Sequence, residues 1–144
     1  MSATVIKLIP TIPEYVPTAK SIEMIDEWIQ QYNAQIVITD EVRFIDQGEN
    51  FEDIKCPFCS SDIEIKWWQD KMEKASESSF HELTSITPCC NQKTTLNELN
   101  YSWEAGFARF LIEILNPSID ISEHDVLAIG EQLKCPLKKV IARY

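Results

Sequence analysis

Glycine is scarce, with three among 144 residues. No G-x-x-x-x-G-K-S/T or G-x-G-x-x-G run occurs, so a glycine-cradled phosphate site has no basis in the sequence. Histidine is scarcer still, with two residues, and neither H-E-x-x-H nor G-x-S-x-G is present. Without a recognisable catalytic constellation, the expectation is a chain that is not an enzyme. Basic residues are few, 13 against 23 acidic, for a net charge of −10. Phosphate-backbone affinity comes mainly from Lys and Arg, so a nucleic-acid partner is not expected. No stretch approaches the about 18 uninterrupted apolar residues of a membrane span. The first ten residues carry one lysine and lack the pattern of a secretory leader. The expected setting is therefore cytoplasmic, away from membranes. Low-complexity tracts are also missing, and a 44 % hydrophobic composition is that of a folded globular chain.

What is present in unusual arrangement is cysteine. Four of five sit in two clusters, Cys56-Pro57-Phe58-Cys59 and Cys89-Cys90. In a reducing compartment such clustering points to metal or thiol chemistry rather than structural disulfides. A C-x-x-C turn followed about thirty residues later by a second cysteine turn is the layout of a zinc ribbon. Zinc takes about four thiolate or imidazole ligands in a tetrahedron. Cys56 and Cys59 offer half a site, and Cys90 with either Cys89 or His81 would supply the rest. The second pair is adjacent, and a regular knuckle would place its first ligand at Thr87, a poor zinc donor. Two other readings stay open: a ribbon fold whose thiols pack without metal, and a C-P-F-C thiol oxidoreductase similar to glutaredoxin-type sites. The polar residues before Cys56 and the turn-like residues after Cys59 do not supply the strand-to-helix context that lowers a catalytic thiol's pKa. Lone Cys135 reads as core packing, and His124 as a polar residue in a helix's first turn.

Hydrophobic periodicity lays out the rest. Residues 4–9 read as a buried strand, 10–17 as a proline-rich connector, and 18–32 as a helix with Ile22, Ile25, Ile29 and Tyr32 on one face. Residues 35–39 and 42–46 read as two strands joined at Asp40-Glu41. In the middle, Ile63 and Ile65 suggest a short strand, 67–78 a helix, and 80–86 and 94–99 strands flanking the second knuckle. Residues 101–115 place Trp103, Phe107, Phe110, Leu111 and Ile114 at helical spacing, and Ser122 suits the N-cap of a helix through Leu133. Residues 137–144 read as a short helix, with a terminal strand as the alternative.

The expected fold is α+β in one domain, 1–144. It comprises a β-α-β-β unit (1–53), a zinc-ribbon-like module (54–99) and a helical part (100–144). Trp67-Trp68 is either an exposed aromatic anchor or buried between the first unit and the ribbon. The basic residues Lys134, Lys138, Lys139 and Arg143 suit a contact with the acidic 40–53 segment, within the chain or across a homodimer.

Residues 44–52, the Cys56-Pro57-Phe58-Cys59 and Pro88-Cys89-Cys90 motifs, 96–103, Gly106-Phe107-Ala108-Arg109-Phe110 and Asn116-Pro117 together resemble a family of small uncharacterised bacterial cytoplasmic proteins with a ribbon-like cysteine unit. The resemblance implies metal ligands at Cys56, Cys59, Cys89 and Cys90, a helix carrying the G-F-A-R-F run, and no assigned activity. The expectation that follows is a non-catalytic protein–protein interaction module with a structural zinc-ribbon-like site and an unidentified protein partner. The alternatives are an acidic immunity or antitoxin-type inhibitor of a basic partner, and the oxidoreductase.

Overall fold

The computed structural model describes residues 3–144. In chain order the elements are β1 (Thr4–Pro10), α1 (Ala19–Met24), α2 (Asp26–Gln31), β2 (Gln35–Ile45), β3 (Ile54–Lys55), α3 (Ile65–Ser76), β4 (Thr84–Ile86), β5 (Lys93–Thr95), β6 (Asn100–Tyr101), β7 (Gly106–Leu115), α4 (Glu123–Leu133) and β8 (Leu137–Arg143), with a 3-10 turn at Leu96–Glu98. The mixed α+β class is as expected, and the sheets are antiparallel throughout.

A four-stranded sheet in the order β2-β7-β1-β8 forms the frame. One face carries Ile6, Leu8, Phe110, Ile112 and Ile114 and is covered by Ile25, Val126, Ile129 and Leu133 from the helices. The other carries a smaller cluster of Ile9, Ile45, Ala108, Leu111 and Val140. At the end where Val42 and Phe107 lie, the sheet packs against the cysteine module through Ile54, Cys56, Ile63, Leu83, Leu96 and Tyr101.

The largest departure from sequence expectation is β7. Residues 101–115 do not form a helix: Asn100–Tyr101 pairs with β3, and Gly106–Leu115 is a sheet strand between β1 and β2. The reason is burial on both faces. A strand covered on both sides is apolar at nearly every position, which erases the period-2 alternation and lets a three-and-four spacing arise by chance. The G-F-A-R-F run thus lies on a strand. A Cβ at Gly106 would come within 2.8 Å of Ile9 Cδ1 and 2.9 Å of Asn97 Oδ1, so a larger residue there would have to displace these side chains.

β7 lies between β1 and β2, so these two strands of the 1–53 segment are not neighbours in the sheet. The supposed hairpin at Asp40-Glu41 is one long strand with a bulge. From Ile38 to Arg43 β2 takes five steps, while β7 takes two from Phe110 to Ala108. Arg109 Nε donates to Thr39 O at 3.0 Å and Thr39 Oγ1 to Glu41 O at 2.7 Å, which stitches the bulge in place. The 18–32 helix is broken at Ile25 into α1 and α2, with Thr18 capping the first. The terminal segment is β8, the strand alternative, and its pairing with β1 runs from Thr4–Arg143 to Pro10–Leu137. Ile65 opens α3 instead of ending a strand, and the strands around the second knuckle are three residues each. Ser122 does cap α4, its side chain accepting from Asp125 N.

The terminal strand meets the acidic segment through both backbone and side chains, while Lys138 and Lys139 pair with Glu104 and Asp120 outside it. Arg143 O accepts from Glu49 N at 2.7 Å, and Asn50 Nδ2 donates to Ile141 O at 3.0 Å. Lys7, 8 % exposed, joins Asp46 and the Tyr144 hydroxyl beside them. Burial raises the Asp46 carboxyl pKa, but Lys7, Tyr144 and Gly48 N–H outweigh it and hold it below the usual range.

Candidate metal centre

Each knuckle is a six-residue turn, and the two are built alike. In the first, Cys56 N donates to Ser61 O at 2.9 Å, Ser60 N donates to Cys56 O at 3.1 Å, and Ser60 is left-handed at φ 61°. In the second, Thr87 N donates to Gln92 O at 2.9 Å, Asn91 N donates to Thr87 O at 3.1 Å, and Asn91 is left-handed at φ 55°. Asparagine tolerates that region better than most residues. Matching the turns pairs Cys56 with Thr87, Pro57 with Pro88, Phe58 with Cys89 and Cys59 with Cys90. The strand pair β4–β5 carries the second turn. The first rests on β3 and an isolated bridge between Lys55 and Asp62.

This correspondence explains the adjacent cysteines. Cys90 occupies a regular ligand position. Thr87 fills the other position, fully buried, with Oγ1 accepting from Gln92 N at 2.9 Å and 3.3 Å from Cys90 Sγ. Cys89 reaches the same cluster from the middle of the turn. The sulfurs of Cys56, Cys59, Cys89 and Cys90 lie within 4.8 Å of one another, with Cys56–Cys90 at 3.7 Å and Cys59–Cys89 at 3.4 Å. Zn–S bonds of about 2.3 Å place tetrahedral sulfurs about 3.8 Å apart. Four thiols at this spacing fit a zinc ion, with no open coordination position left over. Cys56 is buried, Cys90 half-buried, and Cys59 and Cys89 exposed.

The thiols' electrostatics are uneven. Cys59 is pulled down to about 6 by its side-chain hydrogen bond to Ser61, a backbone bond from Ser61 and the Cys89 thiol. Burial and the neighbouring Cys59, Cys56 and Cys90 push Cys89 up to about 12. For Cys56, burial raises the pKa, while hydrogen bonds from Cys59 and Phe58 N–H bring it below the ordinary value. Four crowded thiols resist losing all their protons together, and a bound dication removes that resistance.

His81 does not join the sulfurs. Its Nδ1 is 2.6 Å from Glu14 Oε1 and its Nε2 2.6 Å from Glu41 Oε2, an ion-pair bridge between the 10–17 connector and the β2 bulge. Those carboxylates raise its pKa. A raised histidine pKa contributes stability below the unfolded value near 6.5, and that contribution is lost as pH rises through the folded pKa. Thermal midpoints of the wild type and His81→Gln should therefore differ at pH 5.5 and converge by pH 8.5. A gap that persists unchanged at pH 8.5 would contradict the bridge.

The remaining candidates lie outside the sulfur cluster. Cys135 is buried, with Sγ 3.9 Å from Thr11 Oγ1, and His124 is exposed in the first turn of α4. Trp67 and Trp68 both pack on the knuckle core. Trp68 stacks on Phe51 at 5.4 Å between ring centroids and donates to Tyr101 OH at 3.1 Å. Sequence reasoning missed the supporting roles of Thr87 and Ser61. The shared pattern of Cys56-Pro57 and Thr87-Pro88 was the available signal for Thr87.

Fold and site together define a mixed α+β chain whose two cysteine knuckles converge in a metal-ligand-like cluster. Among the described residues no helix is long and apolar enough to cross a membrane. No protein-family model, curated protein or solved structure matches the chain. Of the ribbon-family resemblance, the structure carries the four-cysteine unit.

The turn correspondence makes a direct prediction. Cys89→Ser should weaken the cluster's affinity for added zinc, and adding Thr87→Cys should restore it to at least the wild-type level, because a regular knuckle then supplies the fourth sulfur. Competition with a chromogenic chelator reads both. No rescue would mean that the two turns are not equivalent.

Proposed function

We propose that Cys56, Cys59, Cys89 and Cys90 hold one structural zinc ion in a single-domain, non-catalytic protein–protein interaction module. The observation that carries this reading is the convergence of four sulfurs from two matching turns onto one point. An all-thiolate, closed coordination set suits a structural ion better than a catalytic one, which keeps a position open for water or substrate. The C-x-x-C lies on a turn, and α3 does not begin until Ile65, so no helix N-terminus stands behind the first thiol. The ion ties together two short turns that pair too few residues to persist alone, above the apolar core of Ile54, Ile63, Leu83 and Leu96. The module then displays α3 and the β4–β5 hairpin to a partner.

Hydrogen exchange with and without chelator tests the structural role. Removing the ion should raise exchange at residues 56–61 and 87–92 by about a hundredfold or more, with β1, β7 and β8 far less affected. Equal protection in both samples would overturn it.

A further inference from the structure

A groove lies between the C-terminal half of α3 and β4. It is an open groove of about 770 Å³, within the size range of ligand sites. One wall is formed by five consecutive residues, Glu82 to Ile86. Side chains of an extended segment alternate between faces, so a cavity touching five in a row runs along the strand's edge. β4 belongs to a two-stranded sheet with β5, leaving its second edge without a partner strand among the described residues. Leu96 N donates to Leu83 O and Thr87 N to Gln92 O, so alternate residues from 83 to 87 turn their backbone groups towards β5. Thr84 and Ile86 turn theirs to the open edge. Glu82 Oε1 takes Thr84 N at 2.9 Å, and Ile86 is left to pair.

Charge selects the occupant. On a protein of net charge −10, Lys71 and Lys74 of α3 and Lys93 of β5 converge on this groove. The acidic groups facing them are Glu77 and Glu82; Glu82, held low by Thr84 N–H and by Lys93, stays charged, so three cations face two anions across the groove. Ala75, Leu83 and Leu96 give the groove an apolar base. The edge open at Ile86, the apolar base and the excess of lysine are complementary to an extended chain that alternates apolar and acidic residues.

We propose that this groove binds an extended acidic–apolar peptide segment of a partner protein by strand addition to β4, its carboxylates meeting Lys71, Lys74 and Lys93. The inference rests on the interaction-module reading and names the partner's chemistry. Main-chain hydrogen bonds would supply affinity, and the alternating side chains specificity.

The test titrates the isotopically labelled protein, purified without added metal, with two pooled libraries of capped heptapeptides. One alternates Asp or Glu with Val, Ile or Leu, and the other replaces the acids with Lys. Amide shifts from the acidic pool should concentrate at residues 71–75, 82–86 and 93. The best acidic peptide should lose about fivefold or more in affinity against the Lys71→Gln/Lys74→Gln double variant, and all measurable binding when its central residue is proline. Equal binding of both pools, full binding by the proline peptide, or shifts confined elsewhere would each overturn the proposal. Zinc content measured on the same sample separates the two claims. Full zinc with no acidic-peptide binding overturns the groove alone, and peptide binding without zinc overturns the structural-zinc reading alone.

Discussion

Cys56→Ala is expected to strip the protein of zinc and of its stability in the knuckle region. Cys56 is 1 % exposed and sits both in the sulfur cluster and in the core beneath it, beside Ile54, Ile63 and Leu96. Alanine conserves most of the packing but removes one of four ligands. Loss of supporting residues outside the ligand set already costs metal sites about 10–100-fold in affinity. Loss of a ligand should exceed that. Because metal-binding free energy at such sites is folding free energy, the thermal midpoint should fall by about 10 °C or more. Cys135→Ala is the control, a buried cysteine outside the cluster, and should leave zinc content unchanged. Differential scanning calorimetry with metal analysis reads both variants. Matching midpoint losses would reduce the sulfur cluster to ordinary packing.

Phe107→Ala should be the most damaging change away from the sulfurs. Phe107 is fully buried near the start of β7, its ring 5.2 Å from Phe44 and 5.4 Å from Phe80 between centroids. It therefore joins the sheet to the segment that follows α3. Truncating a buried phenylalanine costs about 3–5 kcal/mol through lost burial and the cavity left behind. That is a large share of the stability of a chain this size. Urea unfolding should show the midpoint fall with little change in slope. Phe58→Ala, at a side chain 54 % exposed on the first knuckle, should change stability by less than about 0.5 kcal/mol. A Phe107→Ala cost below about 1 kcal/mol would mean that sheet and module are not packed through this ring.

The parts legible in the sequence were those specified locally. Ser122 capping α4, the β-branched run of β1, and the two cysteine turns each carry their signal within a few residues. β7 was misread because both its faces are covered, and only tertiary context separates a doubly buried strand from a buried helix. The β2 bulge was misread as a turn because Asp40-Glu41 is polar in either structure. What holds it in place is Arg109, 70 residues away. His81 was assigned to the metal set as an alternative because proximity in sequence was the available guide. Its partners, Glu14 and Glu41, stand 67 and 40 residues away. For the cluster itself, spacing named the four sulfurs, but the equivalence of Thr87 with Cys56 needed matched backbone hydrogen bonds in both turns.

The central claim is that four cysteines share one zinc ion. Elemental analysis of protein purified without added metal, paired with thiol titration before and after denaturation in chelator, tests it most directly. The account predicts about one zinc per chain, no rapidly reacting thiol in the native protein although Cys59 and Cys89 are exposed, and five reactive thiols after denaturation. Metal-free protein in which Cys59 and Cys89 react at once in the native state would contradict it.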